Sequence, residues 1–278
     1  SERSWCVESA EPEAMIATLD AALNWQAHLP TALLGLAWLA WAGTLVTVWI
    51  MGLEAADSLG LATRTDRRLW LVALVVATIS RLALPFDLVR VFTGWDLLGR
   101  GFQGEGLPRY GAGFVGFLRP LLAIYPDPEW WTQCLNLTVG VATVAALSLA
   151  VWRWRPMPGV LPLAAWGLAL LPVLVRHHRS ESAFVVGFFA WLVGAAAYGR
   201  WLRTGRATFA WLAVPALAAA AYTRPAFVVA APVTLLVLSR WLPTSAHQTG
   251  EGRRARRGVG IALLWLLVPQ VLWLLTGG

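Results

Sequence analysis

The sequence predicts an all-α integral membrane protein with about eight transmembrane helices and an amphipathic outer loop. Of its 278 residues, 58% are hydrophobic and only 13% are charged, whereas a soluble domain carries about 25% charged residues. Apolar runs recur along nearly the whole chain, with arginines in the short stretches between them. Membrane β-barrels instead show segments of roughly ten residues with alternating polarity, so the pattern favours helices.

Eight apolar segments have the composition of membrane spans, for which about 20 residues are needed. Several are shorter, which fits tilted helices packed inside a bundle. Tryptophans such as Trp70, Trp152 and Trp201 flank the segments, as in an interfacial belt. The predicted spans are 30–52, 69–86, 132–152, 158–175, 183–199, 207–222, 226–241 and 258–276.

The arginines predict the orientation of the protein. All 22 basic residues are Arg. When the segments alternate, the loops 53–68, 153–157, 200–206 and 240–257, which are rich in Arg, fall on one side, and the positive-inside rule makes that side cytoplasmic. The acidic N-terminal tail is then outside. Because the arginines are spread over many loops, they fit membrane orientation and attraction to anionic lipid, and they do not indicate a nucleic-acid partner.

The chain is therefore expected to have four parts. Residues 1–29 form an outer tail, residues 30–68 an additional transmembrane helix with a cytoplasmic loop, residues 69–241 a transmembrane module, and residues 242–278 an Arg-rich loop with the last helix. The outer loop 87–131 belongs to the module. Its apolar piece 114–125 is too short to span and predicts an amphipathic or re-entrant helix.

Two acidic residues in the outer loop are candidates for chemistry. Asp87 directly follows the second predicted span, and Asp96 follows in Gly94-Trp95-Asp96. A carboxylate here can act as a general base for an acceptor hydroxyl, or bind a divalent cation together with phosphate oxygens. The structural alternative is a helix N-cap or a surface charge.

Arginines on the predicted outer side are the candidates for phosphate binding, because Arg makes bidentate contacts to phosphate. Contact with lipid headgroups or with acidic neighbours is the alternative for each of them. Arg224 lies between two short spans, where a charge near hydrocarbon is a functional candidate by default. Arg81, inside the second span, is near enough to its outer end to reach the interface. The phosphate-binding candidates are Arg109, Arg176, Arg179 and Arg224, with Tyr110, His177, His178 and Glu181 as further candidates.

A metal centre formed by His177 and His178 is not favoured, because adjacent residues on a helix point apart. No spacing of His and Cys that is typical of zinc sites occurs.

The arrangement resembles the GT-C superfamily of glycosyltransferases that use polyprenyl-phosphate sugars, including the protein mannosyltransferase and aminoarabinose transferase branches. The resemblance covers about residues 69–241. It rests on Arg81 and Asp87 near the end of a span, on the motifs that follow in the loop, and on the later turns. These motifs are Arg109-Tyr110-Gly111-Ala112-Gly113, Leu118-Arg119-Pro120-Leu121, Leu135-Asn136-Leu137, Leu171-Pro172 leading to Arg176–Ser182, and Thr223-Arg224-Pro225.

The resemblance implies a GT-C-like fold and a catalytic acidic residue in the first outer loop, which is Asp87 by position, with Asp96 as its alternative. It also implies that outer basic residues, among them Arg176, Arg179 and Arg224, hold the lipid phosphate. The chain departs from the family in that Leu88, and not a second acidic residue, follows Asp87. It also carries one span before the matched region and no outer soluble domain after it.

The function that follows is transfer of a sugar from a polyprenyl-phosphate donor to an acceptor at the outer face. A divalent cation is a possible cofactor, and membrane lipid and other membrane proteins are possible partners. The alternative function is a non-catalytic transmembrane subunit of a larger assembly. A transporter ranks last, because ionisable residues gather at segment ends and no inverted repeat is visible.

The absence of Lys is typical of a GC-rich genome. The expected location is the bacterial cytoplasmic (inner) membrane, with several passes and the N-terminus outside.

Overall fold

A computed structural model of the chain describes residues 10–83, 112–154, 156–178, 183–241 and 250–276. Within these ranges the chain is almost entirely helical and contains no strand. The helices are α1 Ala10–Leu59, α2 Arg64–Leu82, α3 Gly113–Leu122, α4 Pro128–Trp154, α5 Val160–Leu170, α6 Pro172–His178, α7 Phe184–Thr204, α8 Ala207–Thr223, α9 Ala226–Trp241 and α10 Gly250–Thr276.

Several of these helices are long and apolar enough to cross a bilayer, so the chain is a multi-pass membrane protein. Four qualify on their own, in the ranges Leu29–Leu59, Trp130–Arg153, Phe184–Thr204 and Gly252–Thr276. A fifth span results if α5 and α6, which meet at a bend of 61°, are counted together.

The eight predicted segments all overlap helices, but eight spans are not established by these lengths. The predicted span 158–175 is divided between α5 and α6. The helices α8 and α9 have 17 and 16 residues, fewer than the roughly 20 of a full span. α1 begins at Ala10, within the segment predicted as an N-terminal tail. The predicted helix at 114–125 corresponds to α3, which buries Phe114, Val115 and Leu118.

The core is built around α8, which is buried along most of its length. Its run of alanines lets neighbouring helices approach closely, as is common in membrane bundles. Gly43 of α1 faces the ring of Pro215, and Gly194 of α7 faces Leu217. The Thr47 hydroxyl donates a hydrogen bond of 2.9 Å to the backbone carbonyl of Leu212. Small residues and one inter-helix hydrogen bond therefore hold α1 and α7 against α8.

One end of the bundle, here called the arginine-rich end, contains the ends of α1, α4 and α7 and the starts of α2 and α5. Arg153 of α4 donates to the Glu54 carbonyl and to the Ser58 hydroxyl of α1. The Arg200 guanidinium of α7 lies 2.9 Å from the Glu54 carboxylate. Three of the four loops rich in Arg, 53–68, 153–157 and 200–206, thus meet at a common end, as the alternation of segments predicts.

The opposite end contains the end of α2, the helices α3 and α6, and the turn between α8 and α9. Trp41 of α1 donates from its indole nitrogen to the Gly113 carbonyl at 3.0 Å. A side chain at Gly113 would come within 2.7 Å of the Thr223 backbone nitrogen. The start of α3 is therefore packed directly onto the end of α8.

Candidate functional site

Arg81 lies in the last turn of α2 at this opposite end, and none of its surface is exposed. The expectation that it reaches the membrane interface is therefore wrong. Its guanidinium points inward, toward the junction of α5 and α6. Burying a charged side chain among membrane helices is unfavourable in free energy, so such a residue is a candidate functional residue.

The junction exists because of Pro172. Proline has no backbone N–H and disfavours helical geometry in the residue before it, and Leu171 is extended, with φ −65° and ψ 112°. The last carbonyls of α5 consequently lose their helical partners. The Arg81 Nη1 donates to one of them, that of Ala169, at 3.2 Å, and to the Ala77 carbonyl within α2 at 2.8 Å.

His178, the last residue of α6, is the second member of the cluster. Its Nδ1 accepts a hydrogen bond of 2.8 Å from the Arg81 Nε, so this nitrogen presents its lone pair. The side chain is only 3% exposed. Gly140 of α4 provides the space for the ring, because a Cβ at that position would lie 2.5 Å from the His178 Cγ. Four helices thus converge on a single Arg–His pair.

The Arg81 Nη2 is the part of this cluster that remains unsatisfied. It is buried, and none of the described residues accepts a hydrogen bond from it. No carboxylate in the described part of the chain forms an ion pair with Arg81. A buried charge without a counter-charge is destabilising by several kcal/mol, so the arrangement favours an anion beside Nη2. Phosphate fits the planar fork of a guanidinium.

The other predicted basic residues of the described chain lie at the same end of the bundle and differ in exposure. Arg176 is exposed on α6, and His177 is half-buried with its ring 6.3 Å from that of Phe184. Arg224 is half-buried at the turn between α8 and α9. Phe184 in turn stacks 5.6 Å from Phe227, three residues after Arg224. Aromatic contacts therefore connect the α6 segment to the Arg224 turn.

The remaining predicted site residues lie outside the described residues: Asp87, Asp96, Arg109, Tyr110, Arg179 and Glu181. Both described flanks of the segment that carries the two aspartates are at this end of the bundle, since Ala83 follows Arg81 and Gly113 packs against Thr223.

The described residues contain no group of three His, Cys, Asp or Glu side chains that could hold a metal ion. The two histidines of α6 also have different surroundings, because His178 contacts Arg81 whereas His177 faces Phe184. The possible cation at Asp87 involves residues outside the described ranges.

Sequence reasoning missed the pairing of Arg81 with His178 and the role of Gly140. The available signals were an arginine inside an apolar segment and a proline within a predicted span. Neither indicates which residues meet, because Arg81 and His178 are 97 positions apart.

Comparison with known proteins adds no relative. No family model, curated protein or solved structure matches the chain. The resemblance to the GT-C superfamily accordingly rests on the sequence motifs quoted above.

Proposed function

We propose that the chain is a membrane glycosyltransferase that moves a sugar from a polyprenyl-phosphate donor to an acceptor at the membrane surface. The observation that carries the proposal is the buried, unsatisfied Nη2 of Arg81. A phosphate of the donor would satisfy this group and supply a counter-charge that no carboxylate of the described residues provides. Arg176 and Arg224, at the same end of the bundle, are the further phosphate-binding candidates.

The chemistry assigned to the site needs a base and a group that stabilises the leaving phosphate. Asp87, six positions along the chain from Arg81, takes the proton of the acceptor hydroxyl, with Asp96 as the alternative. The hydroxyl oxygen bonds to the anomeric carbon of the sugar as the bond from that carbon to the phosphate oxygen breaks. The electron pair leaves with the polyprenyl phosphate, and the guanidinium groups stabilise its charge.

The first test measures donor binding. Native mass spectrometry with lipid extraction is applied to the protein purified in detergent. We expect a bound polyprenyl phosphate or phospho-sugar, which is lost in Arg81→Gln and Arg224→Gln. Arg119→Gln is the matched control, because Arg119 is an exposed arginine of α3 at the same end and its loss should leave binding intact.

The second test measures sugar transfer. Asp87→Asn should retain the donor but lower the transfer rate by about 10²–10⁴-fold, the usual contribution of a general base. Full transfer by this variant would remove the base assignment. Recovery of bulk phospholipid alone, together with a co-purifying protein of fixed stoichiometry, would overturn the enzyme proposal in favour of a non-catalytic subunit.

A further inference from the structure

A groove of about 350 Å³ lies between α9 and α10, at the arginine-rich end and remote from the Arg81 cluster. Its walls are mainly apolar, with Leu235 and Leu236 on α9 and Leu263 and Leu264 on α10. Tyr198 of α7 also lines it. The wall on α10 falls within the candidate span Gly252–Thr276. The apolar walls of the groove therefore suit an acyl chain.

The polar groups of this groove are concentrated toward the arginine-rich end. The Tyr198 hydroxyl and the Ser239 hydroxyl are 2.8 Å apart, and both residues line the groove together with Arg256. A molecule bound in the groove would thus contact apolar side chains along most of its length. At one end it would contact two hydroxyl groups and a guanidinium group.

The charge around this end is strongly positive. Arg253 lies one helical turn before Arg256 on α10, and Arg240 follows Ser239 on α9. Both are exposed, and neither forms an ion pair with any carboxylate that the structure describes. The sequence of α10 contains one acidic residue, Glu251, against four arginines. The end of the groove accordingly favours a negatively charged headgroup.

We propose that this groove binds one anionic glycerophospholipid of the surrounding bilayer. An acyl chain lies between α9 and α10, and the phosphate contacts Arg256 and Arg253. Charge complementarity selects this occupant, because a zwitterionic lipid offers no net charge to the arginines, and basic pockets between membrane helices are known to take anionic headgroups. The site lies at the opposite end from the proposed donor site, so either proposal can fail without the other.

Gly260 provides a direct test of the groove. It lines the groove, and a Cβ added there would have no atom within 4 Å. The backbone at Gly260 can therefore carry a side chain, and we expect the ring of Gly260→Phe to fill the groove. Gly35→Phe is the matched control, since Gly35 is exposed on α1 and also has open space around it. Leu236→Trp, at an exposed leucine of the other wall, is a second blocking variant should Gly260→Phe not fold.

The measurement is native mass spectrometry of the delipidated full chain, titrated with dioleoyl phosphatidylglycerol or dioleoyl phosphatidylcholine. We expect one phosphatidylglycerol to bind preferentially, and Gly260→Phe to lose it while Gly35→Phe retains it. Arg256→Gln and Arg253→Gln should each weaken phosphatidylglycerol binding about fivefold. Arg68→Gln, which removes an exposed arginine of α2, should leave binding unchanged.

Three outcomes would overturn the proposal. These are equal binding of the two lipids, unchanged binding in both groove-blocking variants, and occupation of this face by a co-purifying protein that excludes lipid.

Discussion

Arg81 combines a full charge with complete burial, and its neighbours explain how the fold tolerates this. Three hydrogen bonds, to His178, Ala77 and Ala169, satisfy two of its nitrogens. Hydrogen bonds to charged groups contribute roughly 1.5–3 kcal/mol each, which offsets part of the desolvation cost. A lysine could not replace it, because an ammonium group lacks the planar fork that reaches a histidine and two carbonyls together.

Gly140→Ala tests whether the pocket for His178 is as tight as the geometry indicates. The added methyl would lie 2.5 Å from the His178 Cγ, so the ring must move and weaken its contact with Arg81. We expect a loss of about 1–3 kcal/mol in the free energy of unfolding, which is typical of overpacking. Thermal unfolding in detergent is the measurement.

Gly167→Ala is the control for this substitution, because a side chain at Gly167 of α5 would meet no atom within 4 Å. It should stabilise the helix by up to about 1 kcal/mol, as alanine does relative to glycine. Equal effects at the two positions would contradict the assigned packing of His178.

At the scale of elements, the sequence predicts where helices occur, but it does not predict which residues of different helices meet. Hydrophobic runs predicted segments that all overlap helices, because burial in lipid and backbone hydrogen bonding are local requirements. The break at Pro172 was visible as a Leu171-Pro172 turn, yet its consequence was not. The carbonyl of Ala169 is satisfied by a residue 88 positions away, and no local pattern encodes such a contact.

The same limit applies to the predicted site. Arg176, Arg224 and His178 were named from charge and position, and the structure places them at one end of the bundle. The partner of His178 was not foreseen, since it depends on how α2 packs beside α6. The roles of Asp87 and Asp96 stay predictions.

α3 depends on two contacts for its position. Trp41 hydrogen-bonds the Gly113 carbonyl, and the Gly113 Cα lies against the backbone of Tyr222 and Thr223. Close approach of two backbones is possible here only because glycine has no side chain. α3 is thereby fixed beside the turn that carries Arg224.

Gly113→Ala should therefore displace α3 from α8. The new Cβ would approach the Thr223 nitrogen and the Tyr222 carbonyl carbon to 2.7 Å, and these are backbone atoms that cannot rotate away. We expect faster hydrogen exchange across α3, measured by mass spectrometry. Gly116→Ala is the control on the same helix, because its Cβ would make an ordinary contact of 3.5 Å with Leu34. Protected amides in both variants would show that α3 is held by other contacts.

Across the part of the molecule that the structure describes, the two ends of the bundle differ in whether an arginine is fully buried. At the arginine-rich end, Arg203 and Arg206 are exposed, whereas Arg153 and Arg200 are half-buried against Glu54. At the opposite end Arg176 is exposed and Arg224 is half-buried, and Arg81 is the one arginine of the described residues that is fully buried. Exposed loop arginines determine membrane orientation by the positive-inside rule, whereas buried ones are associated with binding sites. This asymmetry leads us to expect the arginine-rich end in the cytoplasm and the proposed donor site outside.

Cysteine labelling in intact cells tests that orientation. In a background with Cys6 and Cys134 replaced by serine, single cysteines are introduced as Thr204→Cys at the arginine-rich end and Tyr125→Cys at the opposite end, both at exposed positions. A membrane-impermeant maleimide should label Tyr125→Cys directly, and Thr204→Cys only after the membrane is permeabilised. The reverse pattern would place the Arg81 cluster in the cytoplasm, and a polyprenyl-phosphate donor presented at the outer face could not reach it. Because labelling depends only on which side each end occupies, the result holds whether or not the protein is an enzyme.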